Sequence, residues 1–542
     1  MRCSAAAFAS TLLTFAASAH AAADPAAASA KIFTELTTGK PQPGCAASVM
    51  RDGRVLWAGG FGYADLATKR KITPDTLFNI ASISKQFTAF AILQLEAAGK
   101  LSLDDSIRKF LPELPEYAQP VTIRHLLHHT GGLRDYDLLA NIKGIDYADK
   151  LSEDDTLKLM ARQRGTDFVP GSEHVYSNTG YVLLAVVVER ASKQTMRDYA
   201  AEHIFGPLGM RETSYVDHYP VDLPALARGY RDDGKGGYAI DESAWEPTGD
   251  GQVHTTVREL ALWEQNFATG RVGGRALVEK MSETGVLNNG DKLNYAMGVN
   301  VGHYRGLRSI EHSGGWAGYH GYLMRFPDQG VGVAVLCNAP KAESHEYTTK
   351  LADLWLGDKL GPVNPTADTP PNENVKRHAG VAASAVQPGI YANDVGGVLE
   401  VRRGKSGLEI RSSEAKGVIG AGQGNIYPLS GGEEMAYVAF PANDRVVLDI
   451  DPHVYSLLKP WQPKSLQPYV GSYFSDDADI GFTVTGGKEG LTAKLGTETT
   501  RLRPVAENKF RAGHAGLIEF RADGSAVLLT PDLRGVVFSK TH

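Results

Sequence analysis

The sequence is poor in cysteine, with three among its 542 residues. Cys3 lies in an N-terminal stretch that we expect to be removed, which leaves Cys45 and Cys337. So few cysteines exclude a disulfide-rich scaffold, and no Cys/His spacing suggests a zinc site. Both remaining cysteines lie in strand-like runs. We therefore expect two free buried thiols, with a single bridge between neighbouring strands as the alternative.

Long apolar runs and an excess of basic residues are also missing. Beyond the N-terminus no segment is apolar enough to span a bilayer, so we expect no stable membrane insertion. The formal net charge is −6 and no basic run stands out. This charge pattern disfavours nucleic acid as a partner.

The N-terminus has the composition of a secretory signal. Arg2 precedes a short apolar stretch at 5–17, and Ala19-His20-Ala21 is a plausible cleavage site. The alternative is a short membrane anchor, but the apolar core is too short for one. The pattern predicts a cleaved signal peptide at 1–23 and a secreted or periplasmic protein.

The length predicts two to four domains. Residues 30–360 mix helices and strands, and a hairpin-like pair at 45–50 and 55–59 surrounds the turn dipeptide Asp52-Gly53. Three further strand candidates end this region, at 307–311, 321–326 and 331–337. Strands at both ends predict an antiparallel sheet made from the two ends of the region, with a helical part inserted.

The remaining sequence is organised differently. Residues 361–385 are rich in proline and predict a linker that resists helix and sheet alike. Short alternating strands with glycine turns follow, and a weak repeat relates 386–458 to 463–542. Two small antiparallel β-barrel-like domains are the simplest interpretation, and one larger β-domain is the alternative.

Ser82-Ile83-Ser84-Lys85 is the first motif with catalytic potential. Ser-x-x-Lys occurs elsewhere, for example at Ser106 and Lys109, but only Ser82 precedes a long amphipathic run that ends at Gly99. Residues three apart share a helix face, and the start of a helix favours negative charge. The motif therefore predicts a serine nucleophile, Ser82, with Lys85 as its base.

Tyr176-Ser177-Asn178 is the second motif, and it fits a short loop before a helix. Tyr176 can carry a proton between Ser82 and the leaving group, and Asn178 can hold Lys85 and a substrate amide. The alternative is a helix-capping loop, which does not exclude catalysis.

His312-Ser313-Gly314-Gly315 is the third motif, predicted at the end of a strand. Its glycines allow a substrate backbone to approach closely. The N–H groups of Gly315 and Ser82 can form an oxyanion hole. His312 can bind a substrate carboxylate or assist proton transfer, and the alternative is a packed strand residue.

Other motifs are weaker. His125, His128 and His129 share a helix face, but no carboxylate partner is evident, so we expect no metal and no cofactor. A Gly-x-Ser-x-Gly elbow is absent, which argues against an α/β-hydrolase.

Four segments carry these motifs: Phe78-Asn79-Ile80-Ala81-Ser82-Ile83-Ser84-Lys85, His125-Leu126-Leu127-His128-His129-Thr130-Gly131-Gly132-Leu133, Pro170-Gly171 with Tyr176-Ser177-Asn178, and His312-Ser313-Gly314-Gly315. As a set they resemble the serine β-lactamase and penicillin-binding family. The branch is that of class C β-lactamases, D-alanyl-D-alanine carboxypeptidases, D-aminopeptidases and related esterases.

The resemblance implies an α+β fold, in which an antiparallel sheet flanked by helices and an all-helical part enclose the active-site cleft. It implies Ser82 as the acylated nucleophile, Lys85 and Tyr176 as the proton-transfer pair and Asn178 as a polar clamp. His312 replaces a lysine of typical class C β-lactamases, which weakens an antibiotic-resistance role. The arrangement of a catalytic domain and two barrels is similar to that of D-aminopeptidases.

The resulting prediction is an exported serine hydrolase that cleaves an amide or ester bond through an acyl-enzyme on Ser82. A small molecule or short peptide is the expected substrate, most favourably a peptide with D-residues. The alternatives are a carboxylesterase, a class C-like β-lactamase and a penicillin-binding sensor without turnover.

Overall fold

The structure, a computed structural model, describes residues 24–221, 223–340, 342–362, 373–405, 407–412, 416–430, 436–449, 451–513, 516–530 and 533–541. The predicted signal peptide at 1–23, Cys3 and residues 363–372 of the predicted linker lie outside these ranges.

A six-stranded antiparallel sheet forms the centre of the N-terminal domain. Its strands are β1 (Cys45–Arg51), β2 (Arg54–Phe61), β3 (Asn300–Tyr304), β4 (Leu307–Trp316), β5 (Tyr319–Phe326) and β6 (Val331–Cys337). They lie in the order β3-β4-β5-β6-β1-β2, so both ends of the region meet in one sheet. The β1–β2 hairpin and the joining of the two ends agree with the prediction. β4 differs, because it continues through His312 to Trp316 instead of ending before the glycines.

Helices flank this sheet and form a separate helical part. They are α1 (Pro25–Ile32), α2 (Lys85–Ala97), α3 (Ile123–Leu127), α4 (Tyr136–Ile142), α5 (Glu153–Ala161), α6 (Asn178–Ser192), α7 (Met196–Ala200), α8 (Gly206–Leu208), α9 (Val257–Thr269), α10 (Arg275–Lys280), α11 (Ser344–Leu356) and α12 (Glu373–Arg377). Short 3-10 turns lie at Thr34–Leu36, Ala81–Ser84, Ile107–Lys109, Glu116–Ala118, Pro327–Gln329, Gly357–Lys359, Ala383–Ala385 and Gln467–Tyr469, and a π-turn at Ala201–Phe205. Among the described residues, no helix combines the length and the apolarity needed to cross a membrane.

The alternation of β1 explains how the sheet is covered on both faces. Cys45, Ala47 and Val49 pack in the cluster that includes residues of α11, whereas Ala46 and Met50 pack in the large core that includes α2 and α9. Successive side chains of a strand point to opposite faces of the sheet. Because β1 is apolar on both faces, both must be covered by other parts of the protein.

Cys45 and Cys337 form a disulfide bond, with an S–S distance of 2.09 Å. The expectation of two free thiols is therefore wrong, and the alternative holds. The two residues are direct partners in the β1–β6 pairing, which the sequence alone does not reveal.

Helix α2 is buried along most of its length. Phe87 and Phe90 pack against Trp263 of α9 at ring-centroid distances of 4.6 and 5.2 Å. Because α2 is surrounded by protein, the turn that precedes it is held in a fixed place beside the sheet.

Short strands outside the main sheet complete the N-terminal domain. Tyr63–Asp65 pairs with Arg70–Lys71, Tyr230–Asp232 pairs with Tyr238–Ile240, and Val253–Thr255 lies between Phe78–Asn79 and Ser214–Tyr215. The last group brings the segment before Ser82 beside the segment after Asp250.

The C-terminal region forms two closed antiparallel barrels of eight strands each. The first contains Gly389–Ala392, Val398–Gly404, Gly407–Arg411, Lys416–Ile419, Ile426–Ser430, Ala436–Ala439, Arg445–Leu448 and Asp451–Leu457. The second contains Gly471–Ser475, Ile480–Gly487, Gly490–Leu495, Glu498–Ala506, Lys509–Ala512, Leu517–Phe520, Ala526–Thr530 and Leu533–Thr541. The predicted fold class is confirmed, and the alternative of one larger β-domain is wrong.

The predicted linker is partly structured. Helix α12 lies within it, and Val375 is buried against Tyr437, Ala439 and Val447 of the first barrel. The expectation that the whole segment resists helix is wrong, because one apolar side chain docks the short helix on the barrel.

Candidate active site

Ser82 lies in the 3-10 turn Ala81–Ser84, which leads directly into α2. Ala81 adopts a φ of 47°, a strained conformation for a residue with a side chain. Lys85 is the first residue of α2, and its Nζ lies 3.0 Å from Ser82 Oγ. The predicted pairing of hydroxyl and amine is present, since three residues make one turn here.

The Lys85 side chain is fully buried and held by two further acceptors. Its Nζ donates to Asn178 Oδ1 at 2.8 Å and to the backbone oxygen of Asp250 at 2.8 Å. These contacts fix the direction of the amine toward Ser82. An amine in this position has the geometry to take the serine proton, which is the task of a general base.

Asn178 and Tyr176 adjoin this pair at the start of α6. Ser177 caps the helix, its side chain accepting from the backbone N–H of Gly180, and Asn178 is the first helical residue. The Tyr176 ring centroid lies 4.8 Å from Lys85 Nζ. Tyr176 is 39% exposed, so the residue is partly open to solvent beside the Lys85 amine. The geometry is compatible with both interpretations of Tyr176-Ser177-Asn178, the helix-capping loop and the catalytic motif.

Two carboxyl groups that the sequence analysis did not single out orient Asn178. Asp135 accepts from the Asn178 backbone N–H at 2.6 Å, and Asp137 accepts from the Asn178 side-chain amide at 3.1 Å. The amide nitrogen is therefore engaged, which turns its oxygen toward Lys85. Burial raises the pKa of Asp135, and burial and neighbouring carboxylates raise the pKa of Asp137 well above its usual range. An N-cap pattern at Asp135 was the available sequence signal.

Asp250 is a third carboxyl group that sequence reasoning missed. Its Oδ2 accepts from the Tyr136 hydroxyl at 3.0 Å, and the residue lines a small pocket together with Ser82. Burial raises the pKa of Asp250 to about 6. Near neutral pH this carboxyl group is thus largely ionised beside the nucleophile.

Strand β4 brings the third motif to the same place. A Cβ on Gly314 would lie 2.3 Å from the backbone oxygen of Ile80, so only glycine permits this approach to the Ser82 turn. Ser313 and Gly315 are exposed, and a Cβ on Gly315 would meet open space. Gly315 lines the pocket of Ser82, as an oxyanion hole built from both N–H groups requires.

The edge of β4 that faces the site is available for a substrate. β3 pairs with β4 only as far as Glu311, so the part of the chain that the structure describes leaves 313–316 without a strand partner on that side. An extended substrate can add to such an edge through main-chain hydrogen bonds.

His312 alternates with Ser313 and is buried instead of facing the open side. Its Nε2 lies 3.1 Å from the Tyr295 hydroxyl. Burial lowers its pKa to about 4, so the imidazole is neutral at pH 7. A direct role with a substrate carboxylate stays a prediction, and it would require the neutral ring.

Among the histidines of segment 125–133, His129 reaches the site. Its Nδ1 accepts from the Ser177 backbone N–H at 3.1 Å, and its ring centroid lies 4.2 Å from that of Tyr176. His125 instead accepts from the backbone N–H of Thr122 in a capping box. Within the described ranges, no group of three or more His, Cys, Asp or Glu side chains is arranged to hold a metal.

Comparisons with known proteins match the part of the chain that contains this site. A family model described as Beta-lactamase matches residues 30–354. Penicillin-binding protein 4* of Bacillus subtilis (strain 168) is 32% identical over 362 residues, which cover 64% of this chain and 77% of that protein. D-aminopeptidase of Brucella anthropi is 28% identical over 315 residues, 58% of this chain and 59% of that protein. The chain thus spans less than two thirds of the latter relative.

Solved structures agree on the fold. The octameric penicillin-binding protein homologue from Pyrococcus abyssi superposes with a TM-score of 0.56 at 25% identity, over 80% of this chain and 98% of that chain. The D-amino acid amidase from Ochrobactrum anthropi SV3, complexed with L-phenylalanine amide, gives a TM-score of 0.52 at 22% identity, over 62% and 98% of the two chains. This second likeness shows the fold alone.

The family match encloses the whole site, from Ser82 to Trp316. The homologues include peptidases and the site pairs a serine hydroxyl with a buried amine. The chain therefore belongs to the beta-lactamase family and is a serine hydrolase.

Proposed function

We propose that this protein hydrolyses amide bonds in small substrates that carry a D-residue with a free amino group, through an ester on Ser82. The contact of 3.0 Å between Lys85 Nζ and Ser82 Oγ carries the proposal. A serine becomes a nucleophile at neutral pH when an adjacent base takes its proton.

The residues of the site account for each step. The deprotonated Lys85 amine accepts the Ser82 proton while Oγ forms a bond to the acyl carbon. The N–H groups of Ser82 and Gly315 donate to the resulting oxyanion. Tyr176 gives its proton to the leaving nitrogen as the C–N bond breaks, and the proton held by Lys85 restores the phenol. Water then attacks the ester, releases the acid and returns the proton to Ser82.

The substrate class rests on two supports. Asp250 lines the Ser82 pocket and is largely ionised near neutral pH, and this negative charge would stabilise an ammonium group of the substrate. Relatives include proteins named D-aminopeptidase. A β-lactamase is disfavoured because His312 is neutral and buried where a lysine would attract a drug carboxylate.

The experiment compares labelling and turnover of the purified chain. A fluorophosphonate is expected to label the wild type and not Ser82→Ala, while Ser106→Ala, from a second Ser-x-x-Lys pair, stays labelled. D-alanine p-nitroanilide is expected to be cleaved at least ~10-fold faster than its L-isomer. Equal labelling of Ser82→Ala would remove the nucleophile from the mechanism. Equal rates for the D- and L-isomers would contradict only the proposed preference for a D-residue.

We further propose that the chain is exported. The support is the predicted signal at 1–23 together with the Cys45–Cys337 bridge, since disulfides persist in oxidising compartments. Fractionation of producing cells, with intact mass of the recovered chain, tests this. A cytoplasmic protein that retains residues 1–23 would contradict it.

A further inference from the structure

We propose that His129 is the positioning residue of Tyr176, because it holds the chain on both sides of this tyrosine and its ring packs against the tyrosine ring. The inference rests on the proposed function, in which Tyr176 gives its proton to the leaving nitrogen. It deepens that function by naming the residue that keeps the phenol in place for this step.

Tyr176 lies in a stretch of chain without regular structure. Helix α5 ends at Ala161 and α6 begins at Asn178, and residues 162–177 between them form no helix or strand. Tyr176 is also partly exposed, so the core does not enclose its ring. A proton donor must keep its hydroxyl within hydrogen-bond reach of the leaving atom, which a loose loop does not ensure. Specific contacts must therefore hold Tyr176 in position.

His129 holds the residue before Tyr176 and the residue after it. The backbone oxygen of His129 accepts from the Val175 N–H at 3.0 Å, and its Nδ1 accepts from the Ser177 N–H at 3.1 Å. These two hydrogen bonds fix the backbone directly on either side of Tyr176. The imidazole also contacts the tyrosine ring, with 4.2 Å between the ring centroids. A single residue thus defines both the course of the loop and the place of the phenol.

The hydrogen bond to Ser177 requires one form of the imidazole. A ring nitrogen accepts only when it carries no hydrogen, so Nδ1 is unprotonated and the hydrogen of the neutral ring lies on Nε2. Burial lowers the pKa of His129 well below its ordinary value, and the positive charges of nearby groups act in the same direction, namely those of His174, Lys85, His312 and His128. The acceptor is therefore available at neutral pH.

His129 is itself held firmly. The residue is 2% exposed, and its ring lies 4.5 Å from that of Tyr295 and 5.1 Å from that of Tyr181. The Tyr181 hydroxyl donates to the backbone oxygen of Leu127 at 2.9 Å, which ties this neighbour to α3. His129 also adopts a φ of 55°, a conformation that costs free energy for most side chains. Strain of this kind persists where the surroundings over-determine a position, and it is frequent at active sites.

His125 makes the same kind of hydrogen bond for a different purpose. Its Nδ1 accepts from the backbone N–H of Thr122 at 3.2 Å, in the capping box of α3. This bond stabilises the start of a helix, whereas the bond of His129 fixes the segment of Tyr176. His125 is therefore the matched control for the loss of an imidazole acceptor.

The experiment measures kcat/KM of the full chain for D-alanine p-nitroanilide and for p-nitrophenyl acetate. His129→Gly removes the imidazole and tolerates the positive φ. We expect it to lower kcat/KM on the anilide by about 30-fold and on the ester by less than about 3-fold, because only the leaving amine needs the proton of Tyr176. His129→Asn also tolerates this φ and offers an amide oxygen as acceptor near the place of Nδ1, so most of the anilide activity should return.

Two further variants test whether His129 acts through Tyr176. The double variant His129→Gly/Tyr176→Phe should be no more than about 3-fold slower on the anilide than Tyr176→Phe alone, because two changes to one function are not additive. His125→Ala removes the acceptor in the capping box of α3 and should leave the ratio of anilide to ester activity unchanged. A changed ratio in His125→Ala would mean that the ratio responds to α3 itself, which overturns the inference.

The outcomes separate this inference from the proposed function. A wild type that a fluorophosphonate does not label at Ser82 overturns the hydrolase itself. A labelled enzyme overturns the positioning role alone if folded His129→Gly loses anilide and ester activity equally, or if His129→Asn is as impaired as His129→Gly. Losses that multiply in the double variant overturn it as well.

Nitrogen NMR of the histidine-labelled wild type decides the question if His129→Gly does not fold. The signals of His129 are assigned by their absence from the spectrum of His129→Asn. A hydrogen on Nδ1 of His129 overturns the hydrogen bond to Ser177 and with it the inference, and a hydrogen on Nε2 supports both.

Discussion

The Arg134 guanidinium donates to the Asp477 carboxylate at 2.6 Å, which joins the N-terminal domain to the second barrel. Arg134 is almost fully buried, and its backbone oxygen accepts from the Thr179 hydroxyl in the first turn of α6. The next residue, Asp135, holds the backbone N–H of Asn178. The second barrel therefore contacts the segment that positions Asn178, and the side chain of Asn178 accepts a hydrogen bond from Lys85.

Loss of this interdomain pair should lower turnover. In Asp477→Ala we expect kcat to fall about 10-fold with little change in KM, because a partner lost from a buried guanidinium costs about 1–3 kcal/mol and loosens the Asp135–Asn178 contact. Steady-state kinetics on D-alanine p-nitroanilide measure the effect.

The matched control is Glu519→Gln, which breaks the Lys509–Glu519 ion pair elsewhere on the same barrel. It should behave as the wild type. An Asp477→Ala enzyme with unchanged kcat would show that the barrel is an accessory to the catalytic domain.

Replacement of Lys85 distinguishes a base from a fixed charge. Lys85→Arg keeps the positive charge, but a guanidinium does not deprotonate near neutral pH, so we expect kcat to fall by about 10³-fold. Pre-steady-state acylation by a nitrophenyl ester reports this step directly. Lys109→Arg, in the second Ser-x-x-Lys pair, serves as the control. Activity of Lys85→Arg within a few-fold of wild type would indicate that Lys85 acts through its charge alone.

Tyr176→Phe should affect amides more than activated esters. A leaving amine needs a proton, whereas nitrophenolate departs without one, so we expect about a 100-fold loss on the anilide and less than about 10-fold on the ester. Tyr176 is 39% exposed, so the melting temperature should stay nearly constant. Equal losses on both substrates would assign Tyr176 to binding instead of proton transfer.

The buried His254 should make the N-terminal domain sensitive to acid. Burial lowers its pKa to about 4, whereas the unfolded chain titrates near the ordinary value of about 6.5. As pH falls below 6.5 the unfolded state binds the proton first, so stability is lost between about pH 6.5 and pH 4. Relative to His254→Gln, the wild type should lose about 2–3 kcal/mol between pH 7.5 and pH 4.5.

Urea unfolding of the wild type and of His254→Gln at pH 7.5 and pH 4.5 measures the difference in their free energies of unfolding. Titratable groups that the two proteins share contribute equally to both and cancel in this difference. A constant difference between wild type and His254→Gln across the range would contradict the buried neutral imidazole.

Removal of the disulfide should destabilise the sheet without altering the site. The bridge joins residues separated by 292 positions, and we expect Cys45→Ala/Cys337→Ala to lose about 2–5 kcal/mol of unfolding free energy. Thermal melts under oxidising conditions measure the loss, and labelling of Ser82 at room temperature should persist. Alkylation of both thiols in the unfolded, unreduced wild type would show that the bridge does not form.

Several features were predictable because their causes are local. The turn at Asp52-Gly53, the alternation of the strands and the glycine-rich turns after residue 386 predicted the hairpin, the sheet and the barrels. The spacing of Ser82 and Lys85 predicted the contact between their side chains, because residues three apart lie about one helical turn from each other. The length of β4 was not predictable, since Gly314 and Gly315 weaken a strand unless a neighbour requires them.

By itself the sequence indicated an antiparallel sheet made from both ends of the first region, favoured two barrels over one larger β-domain and contained three candidate motifs, because periodicity and short spacings act along the chain. The resemblance to a known family implied that these motifs meet at Ser82. Tertiary structure decided the pairing of Cys45 with Cys337 and the carboxyl groups around Asn178. Each of these joins residues far apart in sequence, and such contacts arise only when burial and packing bring separate elements to one place.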